Sequence, residues 1–250
     1  MSKNSIIITV VVVLLVLAGF WYIFSGSRMS TYSPPTPSTG TPPSAAVKGR
    51  AVFAIKDAAT ASMGSVTSVV VTVDKVEAHS SAQGWMTVST TPKQYDLLKL
   101  KQSGGAALLA DVQLPVDTYD QIRLNISKVE IMRKDGVVLT AKLRSHTLKV
   151  IGNLVVAEGK TSTVTIDFMA DKSLHLTSNG TYILAPVVKL EIKSDADVEV
   201  KADENVMING GKVETDENEG MDEKGETKVN FELKGDLNVD ANDVIHVTNK

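Results

Sequence analysis

The chain has 250 residues, 43% hydrophobic and 22% charged, with a formal net charge of −3, which fits one or two globular domains. It has no cysteine, which excludes disulfide staples, thiolate catalysis, Cys-ligated zinc and a lipid anchor on cysteine. Residues 194–250 hold sixteen Asp/Glu and six Lys, net −10, leaving 20 Lys/Arg and 13 Asp/Glu, net +7, before them; the basic excess is spread rather than clustered, so no nucleic-acid partner is expected.

The first element is an uncharged run, IIITVVVVLLVLAGFWYIF, over residues 6–24. At about 1.5 Å per residue it matches the ~30 Å hydrocarbon core of a bilayer, and Trp21 and Tyr22 stand at its far end, where amphipathic rings favour the interface. Residues 1–24 are therefore expected to form an N-terminal signal-anchor, a transmembrane helix with the lipid bilayer as partner. A cleaved signal peptide ending at Val16-Leu17-Ala18 and a pilin-like leader cut near Lys3 and Asn4 are the alternatives. Lys3 and Arg28 flank the run and scarcely discriminate orientation. The linker that follows, residues 25–48, has five Pro, ten Ser/Thr and no acidic residue. Such a semi-extended spacer cannot build a core and suits a stalk that holds a domain off a surface. The expected location is the cell membrane, single-pass, with the C-terminal domain extracytoplasmic.

From Gly49 the pattern turns to period two. RAVFAIK puts Val52 and Ala54 on one face and Ala51, Phe53 and Ile55 on the other. VTSVVVTVDKVEA (66–78) is a long strand, SSAQG turns into WMTVS, and QYDLLKL reads as another strand. TYDQIRLNISKVEIMR places Ile122, Leu124, Ile126, Val129 and Ile131 in the core, with a slip between Ile126 and Val129 that suggests a bulge. Asp135-Gly136 signals a turn with positive φ. VVLTAKL, TLKVIGNLVVA, a hairpin turn at Glu158-Gly159-Lys160, TSTVTIDF and TYILAPVVKLEIK complete about nine or ten strands. Short helices fit only around Ala106–Val112 and Ala170–Leu174, and Pro186 should mark an edge or a bulge. The expected fold class is all-β, an antiparallel β-sandwich or barrel-like domain over residues 49–193.

Gly84-Trp85, Asp96-Leu97-Leu98, the stretch from Leu114 to Leu124 and Gly180-x-Tyr182-x-Leu184-x-Pro186 carry a resemblance to the domain-of-unknown-function family 4382. The resemblance covers roughly residues 49–193 and implies a sandwich-like domain of secreted or surface-anchored proteins, with no functional residue to carry over. Physically, Trp85 reads as a ring covering one end of the core, and Asp96 and Arg123 read as a cross-strand pair.

Catalytic spacings are scarce. His79, His146, His175 and His246 fall in no zinc-binding spacing. Gly-x-Ser-x-Gly is absent, so no nucleophile elbow is expected. Gly159-Lys160-Thr161 imitates the end of a phosphate loop, but Leu154 stands where the loop needs glycine. Asp120, Glu130 and Asp167 read as isolated strand carboxylates rather than an opposed pair. Two glycosylation sequons occur, Asn125-Ile126-Ser127 in a strand and Asn179-Gly180-Thr181 in a turn, the second being the better acceptor.

Residues 194–250 read as an acidic extension of short hairpins, partly disordered, without a second robust core. Its densest stretch offers Asp216, Asn218, Asp222 and Glu223 as weak calcium candidates, although Gly220 breaks the EF-hand spacing; otherwise no cofactor is expected. The functional expectation is a non-catalytic binding or adhesion module with an envelope glycan or protein partner. A filament or surface-layer subunit comes second, and an envelope hydrolase last.

Overall fold

A computed structural model of the chain describes residues 47–58 and 63–221, with the backbones of short strands at 227–229, 236–239 and 245–248. The expected membrane helix and all but the last two residues of the linker lie outside the described residues. Among the described residues no helix is long and apolar enough to cross a membrane.

Strand β1 (Lys48–Asp57) buries both faces: Phe53 and Ile55 on one side and Val52 and Ala54 on the other are all 0% exposed. A strand apolar on both faces belongs in a sheet that is covered on both sides. β2 (Val66–Ser80) and β3 (Gly84–Ser89) form a hairpin, and β4 (Lys93–Asp96) pairs with β2 further along. Helix α1 (Leu97–Ser103) follows at once. Asp96 accepts a hydrogen bond from the Lys99 N–H at its start, and Gly104 (φ 62°) ends it in the left-handed region. These caps explain why DLLKL is helical where the apolar pattern reads as strand. Ala106–Val112, read as a short helix, lies instead in strand β5 (Ala106–Pro115), which pairs along β1.

β6 (Asp117–Arg133) is the longest strand of its sheet, and β7 (Val138–Thr140) returns along it after a turn with Gly136 at φ 80°. There follow β8 (Lys142–Leu143), β9 (Thr147–Val156), β10 (Thr161–Phe168), α2 (Ala170–Ser173), β11 (Leu174–Leu176) and β12 (Tyr182–Leu184). Pro186 falls in the break before β13 (Val187–Val200), which turns into β14 (Asn205–Met221). Ser194, the expected start of a separate extension, is thus inside β13. The remaining strands are β15 (Thr227–Val229), β16 (Asp236–Val239) and β17 (Ile245–Thr248).

The fold is all-β, two large sheets packed as a sandwich. One runs β13-β10-β1-β5-β14-β15, and β13 also pairs with β14, so five strands close on themselves. The other runs β3-β2-β6-β7, with β4 on β2 and β9 on β6. The small groups are β11-β12-β8 and β16-β17. The expectation of a purely antiparallel fold needs correction: β1 pairs parallel with β10, and β12 with β8. The second sheet intervenes in sequence between β1 and β10, so the chain has the long crossover that a parallel pair requires. The turn at Glu158-Gly159-Lys160 likewise joins the two sheets instead of closing a hairpin, since β9 pairs with β6 and β10 with β1 and β13.

Inward side chains of the two sheets form one core. Phe53, Ile166, Phe168 and Leu190 from the first sheet meet Val71, Ile122, Leu124 and Ile131 from the second, all fully buried. Each such side chain contributes roughly 1.5–3 kcal/mol of transfer free energy. The predicted slip in β6 is present: Thr72 pairs with Lys128 and Val73 with Ile126, leaving Ser127 as the extra residue. Val52, Ala54 and Val206 form a second, smaller cluster, with Leu108, Val198 and Ile208 packed against it.

The outer edge of β9 meets β14 through side chains instead of a ladder. The Ile151 N–H donates to both carboxylate oxygens of Glu219 at 3.0 and 2.9 Å, and the Asn153 N–H donates to Thr215 Oγ1 at 2.9 Å. Between them, Gly152 lets β9 lie close over β13: a Cβ there would stand 2.7 Å from Ile192 Cδ1 and 2.8 Å from Leu190 Cδ2. Glu219 is 0% exposed.

Candidate functional site

Among the described residues, a polar group organised across three strands lies on the outward face of the second sheet, where β3, β2 and β6 run side by side. Gly84 adopts φ 66° at the end of the tight β2–β3 connection, a conformation glycine reaches without strain. Ser80 fixes that connection: its Oγ accepts from the Gln83 N–H at 2.9 Å and donates to Asp117 at 2.7 Å. The hairpin register sets Trp85 opposite His79, and His79 opposite Gln121. One row further, Thr87, Glu77, Arg123 and Lys149 stand in register across four strands. Ala78, Ile122 and Leu124 alternate with these residues and are buried in the core, which commits the polar set to the outside.

Arg123 reaches diagonally over β2 and lays its guanidinium on the Trp85 ring, with Cζ 3.6 Å from the centroid. Such a stack contributes about 0.5–2 kcal/mol. The His79 ring packs against Trp85 with centroids 5.0 Å apart and an interplanar angle of 49°. His79 Nδ1 is 2.7 Å from Asp120 Oδ1. A carboxylate only accepts, so the Nδ1 position carries the proton and Nε2 is left for a further partner. Glu77, in register with Arg123, is turned to Lys75 at 2.6 Å. Arg123 makes no hydrogen bond and no ion pair among the described residues. The arrangement can hold a flat or anionic group; it carries no nucleophile–base pair.

Two readings of these positions are corrected here. Trp85 does not cover the core; it is a partly exposed residue on the outer face. Asp96 does not pair with Arg123: it accepts from Ser68 Oγ at 2.9 Å and caps α1. His79 and Arg123 were not legible as a cluster, because their meeting depends on the register of three strands. GWMTVS did hold a signal, since Met86 and Val88 share one face and thereby put Trp85 on the other.

The other sequence candidates are dispersed. Glu130 pairs with Lys128 at 2.7 Å and Asp167 with Lys56 at 3.3 Å. His146 lies 3.0 Å from the Ile126 carbonyl oxygen, and burial pushes the His175 imidazole below its usual range. The backbone of His246 is in β17, and its side chain is outside the described residues. Among the calcium candidates, Asp216 is taken by Lys189 at 2.8 Å, and Asn218 stands opposite Lys189 in the ladder. Asp222 and Glu223 are outside the described residues. Among the described residues no group of three or more His, Asp or Glu is placed to hold a metal ion. Asn179 is exposed in its turn, whereas Asn125, also exposed, accepts from Thr147 Oγ1 at 3.0 Å within a paired strand.

A cleft of about 290 Å³ at the end of β1 and β10 is lined by Lys56, Asp167, Lys172 and Lys189 among others. Lys56, Asp167 and Lys189 are already engaged in the ion pairs just described, which makes the cleft a weaker site than the Trp85 face.

The family model described as "Domain of unknown function (DUF4382)" matches residues 48–186, a span that includes Trp85, His79, Asp120 and Arg123. No curated protein and no solved structure matches the chain.

Proposed function

We propose that this chain, which belongs to the domain-of-unknown-function family DUF4382, is a membrane-tethered, extracytoplasmic binding module that holds its ligand without chemical turnover. The observation that carries the reading is the Arg123–Trp85–His79 group, built on three adjacent strands and facing outward. Tryptophan and arginine dominate the energetics of recognition surfaces because they combine large apolar area with directional polar groups. Rigid strands hold them in place, as a binding face requires. The uncharged run at 6–24 and the Pro/Ser/Thr-rich segment after it support tethering at a distance from a bilayer.

The test has two arms. Protease treatment of intact cells should degrade the domain, and the full chain in detergent should retain an envelope component from solubilised envelopes, with Trp85→Ala reducing retention. A domain protected in intact cells, or retention indifferent to Trp85, defeats the reading.

A further inference from the structure

Arg123 is held by its face and left open at its edge. Stacking on Trp85 occupies the flat side of the guanidinium, while its N–H donors point along the plane of the group, away from the ring. No carboxylate among the described residues takes those donors. The nearest in register, Glu77, is bound to Lys75 at 2.6 Å, and Asp120, beside His79, is bound to that ring at 2.7 Å. These two carboxylates are thus occupied beside an arginine whose fork is unfilled, and Lys149 stands in register with that arginine on its far side. A planar fork without a partner matches an oxyanion in two parallel hydrogen bonds, and a side chain already immobilised loses little entropy when it binds.

His79 narrows the class of anion. Its Nδ1–H donates to Asp120, so in the neutral ring Nε2 is an acceptor and needs a donor such as a hydroxyl. Gln121, in register with His79, adds an amide that can both donate and accept. An acidic sugar has what this pairing asks for, a carboxylate with hydroxyl groups on the same ring. Polyphosphate brings the charge without a donor, and in polyglutamate the backbone N–H donors are separated from the carboxylate by a flexible side chain instead of sharing a rigid ring with it. We infer that the Arg123–Trp85–His79 face binds a uronate-type acidic polysaccharide, with the sugar carboxylate on the Arg123 fork and a hydroxyl on His79 Nε2. This inference rests on the reading of the chain as an exposed binding module.

The full chain in detergent is titrated with polygalacturonate, with its fully methyl-esterified form, with polyphosphate and with polyglutamate, followed by calorimetry and tryptophan fluorescence. Polygalacturonate is expected to bind and the methyl ester to fail. Arg123→Lys should weaken binding at least about tenfold, since lysine keeps the charge but loses the fork, and Arg123→Gln should abolish it. Arg133→Gln, a distant arginine paired with Asp135 at 2.8 Å, should bind as the natural chain does. Unchanged thermal midpoints show that the variants are folded. Equal affinity of Arg123→Gln and the natural chain, equal binding of the methyl ester, preference for polyphosphate or polyglutamate, or no binding of polygalacturonate overturns the assignment. Protease treatment of intact cells separates the two levels. A domain that is degraded from outside yet ignores polygalacturonate sinks only the ligand class, whereas a protected domain sinks the binding-module reading beneath it.

Discussion

Asp57 and Asp167 each close the backbone that follows the other. Asp57, at the end of β1, accepts from the Ala170 N–H at 3.2 Å, just beyond β10; Asp167, in β10, accepts from the Ala58 N–H at 2.7 Å, just beyond β1. Both side chains are buried, at 4% and 5% exposure. The exchange locks the ends of two parallel strands that no hairpin joins.

Removing Asp57 leaves the buried Ala170 N–H without its acceptor, at a cost of about 1–3 kcal/mol, and removing Asp167 takes the acceptor from the part-buried Ala58 N–H. Asp167→Ala should lie at the upper end, because Lys56 also loses its partner at 3.3 Å. Urea denaturation of Asp57→Ala, Asp167→Ala and the double variant measures this, and strict additivity would contradict a coupled clamp.

Glu219 predicts a pH dependence. Burial pushes its carboxyl up to about 7 from an ordinary 4.5; the Ile151 N–H opposes the rise, and nearby Glu217 adds to it. Between pH 4.5 and 7 the folded chain therefore holds a proton that the unfolded chain has lost, so this residue's contribution to stability falls as pH rises across that window. The penalty is fully present above the upper value and amounts to about 3 kcal/mol. Glu219→Gln keeps an acceptor for Ile151 and abolishes the titration. It should be more stable than the natural chain at about pH 8 and similar to it at about pH 4. Urea midpoints that run parallel for the two chains across this range would contradict the assignment.

Two glycines should differ in their tolerance of alanine. A Cβ on Gly49 would collide with the Ala157 carbonyl oxygen, which is backbone, whereas one on Gly152 would meet side-chain atoms of Ile192, Leu190 and Thr215. Gly49→Ala should cost about 3 kcal/mol or more and Gly152→Ala about 1–2 kcal/mol. The opposite order in thermal denaturation would show that the side chains of β13 against Gly152 yield less readily than the backbone against Gly49.

Asp96 ties α1 to β2, accepting from the Lys99 N–H and the Val69 N–H at 3.4 Å each and from Ser68 Oγ at 2.9 Å. Asp96→Ala should cost about 2 kcal/mol through the lost cap and the stranded Ser68 hydroxyl. Asp96→Asn, which keeps the acceptor oxygen, should recover about half, as read by denaturant midpoints.

Much of the sandwich was legible because its signals are local. The alternation of Ile122, Leu124 and Ile126 named the buried face of β6, and the slip between Ile126 and Val129 marked the bulge in which the register makes Ser127 the extra residue. The alternation in RAVFAIK sorted Val52 and Ala54 from Ala51, Phe53 and Ile55, and the structure buries both sets. What escaped depends on partners distant in sequence. The direction of β1 against β10 is set across more than a hundred residues. Glu219 sits in an acidic run and reads as solvated, yet it is buried because β9 presents an unpaired N–H there. The stack of Arg123 on Trp85 needs the register of β2, β3 and β6 together, which no single segment encodes.

The position of β1 has a mechanical consequence. It is the first strand among the described residues, and it lies in the interior of its sheet, with eight paired positions along β10 and eight along β5. Tension arriving at Lys48 therefore enters between two neighbours instead of peeling an outer strand. Drawing β1 out means sliding it past both at once, so many hydrogen bonds must fail together and not one after another. Under the proposed tethering, a domain held this way resists being unravelled from its N-terminal side.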